Sequence, residues 1–102
     1  MIAKKRFKKN EHICRVTFRI PKNVSVGAKS IAVVGDFNNW SATEHLMKKL
    51  KNGEFALALD LPANREYQFR YLIDGKFWEN DGEADKYVYS EYGNCDNSVV
   101  VV

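Results

Sequence analysis

Two tryptophans follow short polar turns, and this placement suits the recognition of a sugar ring. Trp40 ends the segment GDFNNW (35–40), and Trp78 comes shortly after Asp74 and Gly75. A sugar ring has an apolar C–H face and a rim of hydroxyl groups. A site for it therefore needs flat aromatic side chains beside fixed hydrogen-bond donors and acceptors. Packing over the edge of a domain also explains either tryptophan taken alone, so both interpretations stay open.

Short polar or charged side chains accompany both tryptophans. They are Asn39, Arg70, Lys76, Asn94, Asp96 and Asn97. Arg70 occupies an outward position of a predicted strand and carries several N–H donors, although a solvated surface arginine explains it equally well. Ala56 and Ala58 are small and outward-facing in the sequence pattern. They predict a shallow concave surface beside the tryptophans.

The elements that must position these residues are predicted to be short antiparallel strands. Cys14, Val16, Phe18 and Ile20 alternate with polar residues, which is typical of a half-buried strand. Asn52-Gly53 and Asp74-Gly75 predict hairpin turns. Only the segment SATEHLMKKL (41–50) could form one or two helical turns. About seven strands with regular turn spacing predict an all-β sandwich of two sheets.

Composition indicates one globular domain. The chain has 102 residues, of which 45% are hydrophobic and 28% charged, and its apolar runs are too short to span a bilayer. Residues 1–12 are predicted to be a basic flexible arm and residues 13–102 the domain itself. No apolar stretch typical of a secretion signal follows the basic residues. We therefore expect a cytoplasmic protein with no membrane partner.

Cofactor and catalytic sites are not predicted. Glu79, Asp81, Glu83 and Asp85 resemble a solvated acidic loop more than the spaced carboxylate pair of a glycosidase, and they lack the calcium-loop pattern. Cys14 and Cys95, like His12 and His45, lack the spacing of a zinc site. The two thiols are expected to stay reduced. The basic arm is not interleaved with stacking aromatic residues, so no nucleic-acid partner is predicted.

Three segments together carry a family resemblance. They are GDFNNWS (35–41), the hairpin run KNGEFALALDLPANREYQFRYLIDGKFW (51–78) and GNCDNSVVVV (93–102). Residues 15–102 resemble carbohydrate-binding module family 48, the glycogen-binding domain type of the AMP-activated protein kinase β subunit and of branching and debranching enzymes. The resemblance implies an early-set, immunoglobulin-like β-sandwich. It also implies a non-catalytic module that binds glycogen, starch or maltooligosaccharides.

The resemblance also implies roles for individual residues. Trp40 and Trp78 correspond to the two sugar-stacking tryptophans, Arg70 to a strand lysine, and Tyr92 to an apolar residue that contacts the sugar. Lys76 is expected to bind hydroxyl groups, and Asn94, Asp96 and Asn97 to close the rim of the site. The family's amide falls on Asp96 or is shifted to Asn97. A glucan-processing enzyme is an expected partner, and the alternative is a protein-interaction module of the same fold that has lost sugar binding.

Overall fold

The first predicted strand forms with its alternating residues facing the core. The computed structural model describes residues 2–8, 12–90 and 95–102. Strand β2 is Ile13–Ile20, and its predicted inward residues Cys14, Val16, Phe18 and Ile20 are all buried. Pro21 follows the strand, and because proline has no N–H to donate, it suits a strand end. Strand β5, Phe55–Pro62, pairs with β2 along its whole length in antiparallel register.

Two antiparallel sheets enclose the core, and the predicted all-β sandwich is confirmed. The other strands are β1 (Ile2–Lys8), β3 (Ile31–Gly35), β4 (Lys48–Lys49), β6 (Glu66–Ile73), β7 (Phe77–Glu79), β8 (Lys86–Ser90) and β9 (Cys95–Val101). The first sheet has the order β1-β2-β5-β4. The second has the order β3-β6-β9-β8, and β7 pairs with β6. Within the described ranges, nine strands form where about seven were expected, and the short β4 and β7 belong to the predicted hairpins.

Aromatic rings from both sheets form the centre of the core. Phe18 of the first sheet meets Phe69 of the second edge-on, with ring centroids 5.2 Å apart, a favourable geometry for aromatic pairs. Tyr67 lies at the start of β6, and its hydroxyl donates a 2.8 Å hydrogen bond to the Pro62 carbonyl at the end of β5. Immunoglobulin-like sandwiches use the same backward bond as a tyrosine corner.

Both predicted hairpin turns form. Gly53 has a φ of +92°, and Asp74 and Gly75 have φ values of +53° and +68°. The turn at Asp74 is closed by a 3.0 Å bond from the Lys76 N–H to the Ile73 carbonyl. Backbone N–H groups of Lys29 and Ser30 donate to the Asp74 carboxylate and hold its pKa below the ordinary value. The turn that precedes Trp78 is therefore fixed to the neighbouring loop.

One local prediction was wrong, and one local possibility does not occur. The basic segment expected to be a flexible arm contains β1, whose backbone pairs with β2 from Ile2 to Lys8. Segment 41–50 forms no helix, because its backbone bonds to the edge of β3: the Val33 N–H donates to the His45 carbonyl and the Met47 N–H to the Ile31 carbonyl. No helix in the described part of the chain is long and apolar enough to cross a membrane.

Candidate functional site

A tight turn directly after β3 presents Trp40. Residues Asp36–Asn38 form a single 3₁₀ turn, and Asn39 and Trp40 follow with left-handed φ values of +53° and +58°. Such conformations cost a non-glycine residue on the order of 1 kcal/mol or more and persist where the surroundings fix them. Here the Trp40 N–H donates a 2.9 Å bond to the Gly35 carbonyl. The tryptophan is thus held in an uncommon backbone conformation.

Asn38 is the buried centre of this turn. Its Oδ1 accepts bonds from the N–H groups of Gly35, at 3.1 Å, and Ser41, at 3.2 Å. Its Nδ2 donates to the Val33 carbonyl at 2.9 Å and contacts His45 Nδ1 at 2.8 Å. Since backbone donors fix the orientation of the amide, His45 Nδ1 must be the acceptor. One side chain therefore bonds to four residues of the turn and its flanks.

Outward residues of β6 supply the polar floor between the tryptophans. Arg70 Nε donates a 2.5 Å bond to Asn97 Oδ1 on β9, and Asn97 Nδ2 donates a 3.0 Å bond to Gln68 Oε1. The Arg70 guanidinium carbon also lies 6.0 Å from the centre of the Trp78 ring, within the range of a cation–π contact. Hydrogen bonds therefore join β6 to β9 across the floor, and the cation–π contact of Arg70 extends it to Trp78 on β7.

An apolar row supports Trp78. Trp78 pairs with Leu72 of β6, and Leu72 pairs with Ala32 of β3, so the three side chains share one face of the second sheet. Ala32, Val34 and Leu72 form a small buried cluster of their own. Trp78 itself is 49% exposed and Trp40 37%. Both tryptophans are thus partly covered by the protein and partly open to solvent.

These residues surround an open cleft of about 500 Å³ on the outer face of the second sheet. Its lining residues are Asp36, Trp40, Gln68, Arg70, Trp78, Ser90 and Asn97. The volume is within the range of small-ligand sites. The cleft combines two flat aromatic surfaces with amide, guanidinium, carboxylate and hydroxyl groups. This combination suits a polyhydroxylated ligand with apolar faces.

The structure brings together four of the eight predicted site residues. Trp40, Trp78, Arg70 and Asn97 line the cleft. Lys76 is exposed in the turn before β7 and lies outside the lining. Tyr92 and Asn94 lie outside the described residues.

Asp96 and the two alanines do not lie at the cleft. Asp96 precedes Asn97 on β9, and successive residues of a strand face opposite ways, so the amide at the cleft belongs to Asn97. Ala56 and Ala58 lie on β5 of the first sheet, whereas the cleft is on the second. The prediction that they form a shallow surface beside the tryptophans was wrong, because alternation indicates a face of a strand and not which sheet holds it.

Sequence reasoning missed three lining residues: Asp36, Gln68 and Ser90. Asp36 lies four positions before Trp40, and Gln68 is the outward neighbour of Arg70 on β6. Asp36 belongs to the GDFNNWS motif and Gln68 to the alternating pattern of β6, so both positions carried a signal in the sequence. Ser90, at the end of β8, carried no signal of its own.

The acidic segment has a structural role that the sequence did not predict. Asp81 is fully buried, and its Oδ2 accepts a 2.7 Å bond from the Tyr71 hydroxyl. Burial and the neighbouring Asp81 charge raise the pKa of Tyr71 far above its ordinary value. Asp85 accepts bonds from Lys5 and the Val101 N–H. The expectation of a solvated acidic loop was therefore wrong for Asp81, which fixes this loop to the core.

No cluster of three or more metal-binding side chains occurs in the part of the chain that the structure describes. The lining of the candidate site consists of aromatic and hydrogen-bonding side chains. A β-sandwich with two exposed tryptophans and hydrogen-bonding side chains in one cleft has the features of a carbohydrate-binding module.

Comparison with known proteins gives the family. A family model described as the glycogen recognition site of AMP-activated protein kinase matches residues 20–102, and the chain belongs to this family. Relatives include 5′-AMP-activated protein kinase subunit beta-2 of Mus musculus, 35% identical over 77 residues, which are 76% of this chain and 27% of the relative.

Beta-1 subunits are also similar. That of Sus scrofa is 35% identical over 75 residues, which are 74% of this chain and 57% of the relative. The Homo sapiens subunit is 33% identical over 75 residues, which are 74% of this chain and 26% of the relative. The chain spans about a quarter of the length of most of these relatives. It is a non-catalytic, glycogen-recognition type of module.

Proposed function

We propose that the chain binds α-glucan chains such as glycogen, starch or maltooligosaccharides in the cleft between Trp40 and Trp78. The observation that carries this proposal is the pair of partly exposed tryptophans on either side of one polar floor. Large aromatic side chains left in water are unfavourable to the free protein, and covering them with the apolar face of a glucose ring relieves this cost. The family match supports the same ligand.

The polar floor suits the hydroxyl rim of the sugar. Arg70 uses Nε for Asn97, and its two terminal nitrogens carry four further N–H donors. Asn97 and Gln68 are already bonded to each other, so their side chains are oriented before a ligand arrives. A preorganised floor lowers the entropy cost of binding. We assign Arg70 and Asn97 to hydrogen bonds with glucose hydroxyls.

The other predicted residues have separate positions in this proposal. Lys76, exposed in the turn before Trp78, is proposed to contact a glucan that extends past that ring. Tyr92 and Asn94 keep their proposed rim roles by resemblance, although they lie outside the described residues. We propose that Asn97, and not Asp96, supplies the amide group of the site.

The test is sugar binding by tryptophan variants. Trp40→Ala and Trp78→Ala should each abolish retardation of the protein in a native gel that contains glycogen. Each should also weaken maltoheptaose binding about 5- to 150-fold, since loss of one stacked ring costs on the order of 1–3 kcal/mol. Phe77→Ala is the matched control, because Phe77 precedes Trp78, is 62% exposed and pairs with Ile73 on the other face of the sheet. Wild-type retardation of both folded tryptophan variants would exclude this site.

A protein-interaction module is the second candidate. Strand β8 is an edge strand of the second sheet, and Tyr87, Val88 and Tyr89 on it are exposed. Unpaired strand edges with apolar residues are common sites of protein contact. If this is the function, maltoheptaose should not change the tryptophan fluorescence. The chain should instead bind a partner protein, and substitutions in β8 should abolish that binding.

Partner and location are parts of the proposal. The relatives are named as subunits of a kinase, and we propose that this module likewise works with a second polypeptide. A glucan-processing enzyme related to the α-amylase superfamily is the partner expected from the sequence. We propose a cytoplasmic location, which the free thiols of Cys14 and Cys95 support. Co-purification of the tagged protein from its native cell would identify the partner, and fractionation would test the location.

A further inference from the structure

We propose that Asp36 is a positioning residue that fixes the orientation of the Trp40 indole and thereby sets the affinity of the cleft. The inference rests on the proposed function, since it assigns Trp40 to the sugar. It concerns a side chain that the sequence did not single out.

The carboxylate of Asp36 joins two separate elements. Its Oδ1 accepts a 3.0 Å bond from Trp40 Nε1, and its Oδ2 accepts a 2.8 Å bond from the Gln68 backbone N–H on β6. The indole is thus held relative to the strand that supplies the floor of the cleft. Hydrogen bonds that a carboxylate accepts from an N–H group are stronger than hydrogen bonds between neutral groups.

The bond to Gln68 follows from the way β3 ends. Gly35 pairs with Phe69 as the last pair between β3 and β6, and the next pair in that register would join Asp36 to Gln68. At Asp36, however, the chain turns into the 3₁₀ turn, so the Asp36 carboxylate accepts the Gln68 N–H with a side-chain oxygen. The same side chain therefore completes the sheet edge and reaches the indole.

The bond to Asp36 restrains a side chain that is partly open to solvent. The Trp40 backbone is fixed by the Gly35 carbonyl, but the residue is 37% exposed and its indole can turn about two side-chain torsions. A bond at Nε1 removes most of that freedom before the sugar arrives. The ordering of one large side chain on binding is worth about a 2- to 10-fold change in affinity. We expect Asp36→Ala to weaken maltoheptaose binding by that factor.

The experiment records the indole N–H signals of Trp40 and Trp78 by ¹H–¹⁵N NMR, with and without maltoheptaose. In sugar-free Asp36→Ala, the Trp40 signal should move upfield from its carboxylate-bonded position while the Trp78 signal stays. Asp36→Asn, which keeps one acceptor oxygen, should give an intermediate affinity and provides a second variant if the alanine protein fails to fold. Asp60→Asn on the first sheet is the matched control, because Asp60 lies on β5 opposite Arg15 and away from the cleft.

A double-mutant comparison shows whether Asp36 acts through the indole. Trp40→Phe keeps a flat ring but has no N–H, so adding Asp36→Ala to it should cause no further loss of affinity. An unmoved Trp40 signal in sugar-free Asp36→Ala, or a full additional loss in the Trp40→Phe background, would overturn the positioning role. Absence of any maltoheptaose effect on the wild-type indoles would instead overturn the proposed function and, with it, the sugar-binding part of this inference. The sugar-free signals separate the two failures.

Discussion

Asn38→Ala should loosen the turn that presents Trp40 and destabilise the whole domain. The buried amide makes four hydrogen bonds, to Gly35, Ser41, Val33 and His45. At a net value of about 1 kcal/mol each, reduced by water that enters the vacated space, their loss should cost about 3 kcal/mol. Since small domains are stable by roughly 5–15 kcal/mol, that is a large fraction of the total. The melting temperature should fall by about 15 °C.

The same substitution should also weaken sugar binding, because Asn39 and Trp40 are strained and keep their left-handed conformations only while the turn is intact. We expect about a tenfold loss of maltoheptaose affinity under conditions where the variant is folded. Urea denaturation and isothermal titration give the two values. Asn52→Ala is the control: Asn52 makes two bonds to Glu54 in an exposed hairpin turn, so its loss should cost less than about 1 kcal/mol and leave affinity unchanged.

Two results would refute this account of Asn38. A variant within about 0.5 kcal/mol of the wild-type unfolding free energy would show that the buried amide contributes no net stability. A destabilised variant that binds maltoheptaose with wild-type affinity would show that the backbone of Trp40 does not depend on Asn38.

Two further predictions concern the core. The pKa of Tyr71 is raised in the folded protein, so its contribution to stability is complete below the unfolded tyrosine pKa of about 10 and falls as the pH rises above it. Above that pH the unfolding free energy should drop by up to about 1.4 kcal/mol per pH unit. Urea denaturation at a series of alkaline pH values should show this decrease for the wild type and not for Tyr71→Phe. An equal decrease in both proteins would contradict the assignment. Gly35→Ala should destabilise the protein by about 1–3 kcal/mol, because a Cβ at Gly35 would lie 2.4 Å from the Gln68 carbonyl oxygen; thermal unfolding checks this, and an unchanged melting temperature would show that β3 and β6 separate freely.

The sequence was sufficient to predict those features that depend on residues close together in the chain. Alternation around Phe18 predicted the buried face of β2, and Asn52-Gly53 and Asp74-Gly75 predicted their turns, because a turn depends on the conformations its own residues allow. The pairing of Trp40 with Trp78 across one surface followed from the family resemblance. It could not have come from spacing, since 38 positions separate the two residues.

Features set by tertiary partners were not predictable. Asp81 is buried because Tyr71 and Ser98, 10 and 17 positions away, bond to it, and neither distance leaves a pattern in the chain. The choice between Asp96 and Asn97 depends on the register of β9, where a shift of one residue exchanges the two faces. Asp36 was overlooked because polar residues are common in turns, and only its bonds to Trp40 and Gln68 distinguish it.

The position of β2 affects how fragments of this family should be chosen for expression. The family model begins to match at residue 20, which is the last residue of β2. A fragment cut at that boundary would lose β1 and almost all of β2, together with Cys14, Val16 and Phe18 from the core, and would leave β5 with an unpaired edge. The matched segment contains the whole ligand-binding sheet but only β4 and β5 of the opposite sheet. A fragment that folds should therefore also include β1 and β2.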